Sequence, residues 1–187
     1  MKSEHIAMMK EALVNNSFCL LENFASSDEL PSWSEIIQSA NDSAQTTPKF
    51  HVQAPLTERQ INSTICLGVG YFYSIVSEED EHIRQKVKPL TDELGKNGLP
   101  LSVAHAFISL FTGDESAALH NDPGSNNLYI QCEGTTKWEL YASEDPSQVI
   151  YKKYLNPGEA IFFTGDVHHA VTPATPRAAI LLRMPSM

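Results

Sequence analysis

The sequence predicts a mainly β protein with helices at its N-terminal end, and three observations carry that prediction. Beyond residue 100, apolar residues alternate through runs suited to strands. Pro and Gly divide this half into several short runs at regular spacing, the pattern of a β-sandwich or barrel. The first third instead carries helix-type patterning with start and stop signals. The expectation is one domain over residues 1–187, with a helical and mixed part over 1–99 packed on a β core over 100–187.

Residues 2–15 fit an amphipathic helix, and "SFCLLENF" (Ser17 to Phe24) fits a short buried strand. "SSDELPSWSEIIQSAN" predicts a second helix, with Asp28 as its capping residue and Pro31 near its start. "TTPKFHVQAPLTERQINST" reads as irregular. "SEEDEHIRQKVKPLTDELGKNG" opens with Ser77 and acids and closes on Lys and Gly, which suits a helix that Pro89 should kink or break. "LSVAHAFISLF" then alternates as a strand, and "NNLYIQCEGTTKWELY" gives two strands around a Glu-Gly turn. "SQVIYKKYL", "EAIFFTG", "HHAVTP" and "RAAILLRM" follow as further strands.

Composition narrows the function classes. With 13 basic and 23 acidic residues the formal net charge is −10, which argues against nucleic acid or an anionic membrane as partner. No apolar run suits a signal peptide or a membrane span, so the expected location is the cytoplasm. Cys19, Cys66 and Cys132 are scattered without zinc-type spacing and read as free thiols in a reducing compartment.

The chemistry is expected around "LHNDP", which holds His120 and Asp122. On a strand, residues two apart share a face, so both could reach one ion. Two histidines and one carboxylate on one side of a metal make the facial triad of non-haem Fe(II) oxygenases. The third ligand would come from a later strand, where His168 and His169 stand side by side. Val167, His169 and Val171 share the more apolar face, which places His169 inward and His168 outward.

The run after Asp122 resembles the cupin-like, Jumonji-C-type 2-oxoglutarate oxygenases: Asn127, Tyr129, Gln131, Gly134, Trp138, Leu140 and Tyr141 fall in that pattern. "PGEAIFFTGDVHHAVTPATPRAAILL" resembles the closing strands of the same superfamily, and its "HAVTPATPRAAI" tail is similar to the prolyl-hydroxylase version. The resemblance covers about residues 101–183. It implies a double-stranded β-helix (jelly-roll, cupin) core. It also implies Fe(II) on His120, Asp122 and His169, with 2-oxoglutarate as co-substrate and O2 as oxidant. It supports His169 independently, since the family's distal histidine is followed by x-Val-x-Pro. The implied reaction is hydroxylation of a small molecule or a protein or peptide side chain, releasing succinate and CO2.

The far carboxylate of 2-oxoglutarate needs a buried cation. Arg177 is the first candidate, brought beside the His169 strand by a hairpin at "TPATP", and Arg183, of matching parity, is the second. Lys137 is the third, but it alternates with Thr136, Trp138 and Leu140 and so points outward. Asn127 and Tyr129 are expected to hydrogen-bond the co-substrate, as matching positions do in Jumonji-type members, and Ser109 could touch it. The rival readings are a cupin-type dioxygenase that does not use 2-oxoglutarate, and a non-catalytic metal-binding or sensor protein. The oligomeric state is left open, with a homodimer among the options.

Overall fold

From residue 102 onward the chain changes sheet at almost every turn. The computed structural model describes residues 2–42, 46–48, 71–75, 81–109 and 117–185. Its elements are α1 (Ser3–Val14), β1 (Phe18–Leu21), α2 (Trp33–Asp42), β2 (Thr46–Pro48), β3 (Tyr71–Ile75) and α3 (Glu81–Lys96). They are followed by β4 (Ser102–Ser109), β5 (Ala117–His120), β6 (Ser125–Glu133), β7 (Thr136–Tyr141), β8 (Val149–Leu155), β9 (Ala160–Thr164), β10 (His168–Pro173) and β11 (Arg177–Pro185). One sheet runs β1-β9-β6-β11-β4-β3-β2 and the other β5-β10-β7-β8, with every pairing antiparallel. Strands β4 to β7 alternate between the two sheets, as do β8 to β11. Two facing antiparallel sheets connected this way are the jelly-roll arrangement the sequence predicts.

The larger sheet is covered on both faces. Leu128, Ile130, Phe162 and Ile180 pack with Met9 of α1, Ile36 of α2 and Val87 of α3. The opposite face sends Tyr129, Ile161, Phe163 and Leu181 against Trp138, Leu140 and Val171 of the smaller sheet. That is why β9 is buried at every position: such a strand needs a continuous apolar run rather than alternation. Site residues lie on the inner face, between the sheets.

Several local expectations need correction. Ser32, not Asp28, caps α2: its Oγ accepts from the Glu35 N–H at 3.4 Å, and Glu35 Oε2 accepts from the Ser32 N–H at 2.8 Å. This reciprocal capping box satisfies two orphan donors, while Asp28 lies in the preceding turn. Helix α3 continues through Pro89. Pro89 is exposed, so the ladder bond it removes lies on the water side, while Ile83, Val87 and Leu94 anchor the helix in the core. Thr46–Pro48, expected to be irregular, pairs with β3, since an open sheet edge offers main-chain bonds to any extended segment. The expected helix start at Ser77 and the rest of the irregular stretch lie outside the described residues.

The expected hairpin before Arg177 is not formed. β10 belongs to the smaller sheet and β11 to the larger, so the turn hands the chain from one sheet to the other. The β6–β7 connection makes the same crossing, and the two turns are laced together. Ala174 N–H and Thr175 N–H donate to Thr135 O at 2.9 and 3.2 Å, and Thr135 N–H donates to Thr175 Oγ1 at 2.7 Å. Gly134 makes this approach possible, with φ +70° and a notional Cβ only 1.9 Å from Pro176 O. Gly134→Ala is therefore expected to destabilise the fold by more than about 4 kcal/mol, the range of severe strain and overpacking, measured by urea unfolding.

Candidate metal centre

His120 ends β5, where the backbone pairs with His169 of β10. The register sets the two rings against each other, with centroids 4.3 Å apart. Asp122 is not on the strand: it opens the turn to β6, and backbone bonds bring it round. Its N–H donates to Gly165 O at 2.9 Å, and Ser125 N–H and Oγ donate to its carbonyl at 3.3 and 3.1 Å. Gly165 presses on that turn so closely that a Cβ would lie 2.4 Å from Asp122 O. One ligand atom from each of His120, Asp122 and His169 then lies within 4.8 Å of the others, with His120 Nε2 at 3.8 Å from Asp122 Oδ1.

The hydrogen bonds decide which ring nitrogens are offered. His120 Nδ1 lies 2.6 Å from Ala118 O and His169 Nδ1 lies 3.0 Å from Val167 O. A carbonyl only accepts, so each Nδ1 carries a proton, which leaves Nε2 as the nitrogen each ring can offer to a metal. Asp122 is oriented in the same way: Asn127 Nδ2 donates to its Oδ2 at 2.8 Å. This donor set of two neutral imidazoles and a carboxylate fits Fe(II).

His169 is buried, 3 % exposed, with Trp138 stacked on it at 5.2 Å and Phe163 at 4.6 Å. Burial, with the neighbouring His120 adding to it, pushes its imidazole down to about 4. In the unfolded chain the group titrates near its ordinary value, so between about pH 6.5 and 4 only the unfolded state takes up the proton. The metal-free protein is expected to lose on the order of 3 kcal/mol as pH falls through that window. Urea unfolding at pH 7 and 4.5 checks this, and His169→Asn should flatten the difference.

Beside the cluster is a cavity of about 250 Å³ with Arg177 and Arg183 among its lining residues. Arg177 is 1 % exposed; its Nε donates to Ser109 Oγ at 3.1 Å and its Nη1 to the Tyr129 hydroxyl. That hydroxyl in turn donates to Gln131 Oε1 at 3.0 Å, with Thr136 Oγ1 at 3.4 Å. Burial raises the Tyr129 phenol above its ordinary value, so it stays neutral. Arg183 stands at the other end, its Nε donating to Asn127 Oδ1 at 3.1 Å. Asn127 is fully buried, with its amide engaged by Asp122, Ser125 and Arg183.

Lys137 lies on the outer face, 2.8 Å from Glu139, whose carboxyl Lys137 and Lys152 hold below its ordinary range. His168 lies outside the cavity lining. Two features escaped the sequence reading. One is the aromatic wall of Trp138 and Phe163 around His169, though both share the inward parity of their strands. The other is the bridging position of Asn127, for which the sequence carries no signal.

No protein-family model matches the chain, and no curated protein matches it by sequence. Solved structures do match its fold. YcfD, a ribosomal oxygenase from Escherichia coli, in complex with cobalt and 2-oxoglutarate, aligns with TM-score 0.59 over 91 % of this chain at 15 % identity. Its complex with cobalt and succinic acid aligns at 0.61 and 15 % identity, again over 91 % of this chain. SnoN, a non-haem α-ketoglutarate-dependent epimerase from nogalamycin biosynthesis, aligns at 0.62 over 98 % of this chain and 84 % of its own, at 10 % identity. This chain has their fold. It spans about half of YcfD, 49 % in both complexes. At these identities the likeness is one of architecture. Among the described residues no helix is long and apolar enough to cross a membrane.

Proposed function

We propose that the chain is an Fe(II)- and 2-oxoglutarate-dependent oxygenase, hydroxylating a small molecule or a protein or peptide side chain in the cytoplasm. The observation that carries this is the convergence of His120, Asp122 and His169 beside a cavity in which Arg177 is buried. The YcfD complexes with cobalt and 2-oxoglutarate or succinic acid support it by fold.

In this reading His120 Nε2, His169 Nε2 and Asp122 hold the iron. When bound, iron supplies O2 activation coupled to decarboxylation of 2-oxoglutarate. Arg177 pairs with the far carboxylate of 2-oxoglutarate, and Tyr129 and Ser109 hold the guanidinium in place. Asn127 holds Asp122 in orientation rather than contacting the co-substrate. Trp138 and Phe163 fix the His169 ring and keep water from its buried side.

Purified protein given Fe(II), ascorbate and 2-oxoglutarate in air is expected to release succinate even without its primary substrate. Absence of both succinate and 2-oxoglutarate binding would sink this reading. It would favour a cupin-type metalloprotein that does not use 2-oxoglutarate.

A further inference from the structure

Strand β11 places two arginines on the inner face of the larger sheet, six residues and roughly 20 Å of backbone apart. Arg177 is engaged with Ser109 and Tyr129 at one end. Arg183 stands near the metal cluster, linked to Asp122 through Asn127. That link uses only its Nε. Among the described residues, neither of its Nη groups makes a hydrogen bond or ion pair. Arg183 is half-buried and lines the cavity. A guanidinium held on one edge, with the other free, is pre-organised to receive a carboxylate.

The available anions are already committed. Asp122 is the only carboxylate among the described residues lining the cavity, and it faces the metal position. Under the proposed function, on which this inference rests, 2-oxoglutarate spends its keto-acid end on the metal and its far carboxylate on Arg177. Arg183 is then left as a cation beside the reaction centre with no anion assigned to it. The chain as a whole is acidic, with a net charge of −10, so two cations in one cavity are a local reversal that would focus an anion there.

We propose that Arg183 docks a carboxylate of the primary substrate, which makes the substrate class a carboxylic acid. Apolar Val171 and Leu181, which also line the cavity, suit the carbon body of such an acid. The same chemistry could come from the keto-acid end of 2-oxoglutarate, and the experiment separates the two sources.

Wild type and Arg183→Gln are loaded with Mn(II), saturated with 2-oxoglutarate without O2, and titrated calorimetrically. The titrants are straight-chain carboxylic acids of two to ten carbons, each matched with its primary amide. At least one acid is expected to bind about tenfold or more tightly than its amide, and Arg183→Gln should remove that preference. Mn(II) and 2-oxoglutarate affinities should stay within about threefold. The proposal is overturned if no acid binds, or if acid and amide bind alike. It is also overturned if Arg183→Gln weakens 2-oxoglutarate instead, which assigns Arg183 to the co-substrate. Weakened Mn(II) with acid binding intact overturns it too, in favour of a positioning role through Asn127. If wild type does not bind 2-oxoglutarate, the oxygenase reading fails. The acid–amide comparison on the Mn(II) protein alone then decides the Arg183 site separately.

Discussion

His169→Ala is expected to lose metal, and His168→Ala to keep it. Removing even an outer partner of a metal ligand costs about 10- to 100-fold in affinity, so loss of a ligand itself should cost at least about 100-fold. His169 presents its Nε2 to His120 and Asp122, and its Nδ1–H is held by Val167 O. His168 pairs across the strands with Tyr141 and does not line the cavity. Its removal should change affinity by less than about threefold. The two neighbours are separated by strand alternation alone, so the pair is an internal control. Truncating His169 also opens a hole between Trp138 and Phe163, and His169→Gln keeps most of that volume. Calorimetric titration with Mn(II), alongside thermal unfolding of both His169 variants, separates ligand loss from fold loss. Retention of full affinity in His169→Gln and loss in His168→Ala would reverse the assignment.

Arg177→Gln should abolish useful 2-oxoglutarate binding while leaving the metal in place. Breaking a buried charge pair by removing one partner costs about 3–5 kcal/mol, or a rise in Kd of roughly 10²- to several times 10³-fold. Arg177→Lys keeps the charge but loses the fork that spans Ser109, Tyr129 and the incoming carboxylate, so it should fall between. Lys137→Ala is the matched control, since Lys137 pairs with Glu139 on the outer face. Titrating 2-oxoglutarate into the Mn(II) protein without O2 reads all three. Unchanged affinity in Arg177→Gln would remove it from the co-substrate site.

Which side of a strand each candidate occupies was legible in the sequence. Lys137 outward and Trp138 inward follow from alternation, because a strand with one face in the core cannot slip by one residue without burying its charges. The cap of α2 was expected at Asp28, whereas Ser32 and Glu35 form it, because local chemistry alone does not rank neighbouring capping residues. Pro89 shows the reverse case: a strong local breaker is tolerated because its cost falls on an exposed face while the other face holds the core.

The amino-acid order by itself determined the β core, the inward histidine and the two arginines of equal parity. These are properties of one strand at a time, set by a side-chain period of two. Only the tertiary structure decided that the turn before Arg177 crosses between sheets, that Gly134 and Gly165 let backbones touch, and that Asn127 joins Asp122 to Arg183. Those are relations between strands far apart in the chain. Pairing register and sheet membership settle them, through main-chain hydrogen bonds that any residue except proline can donate.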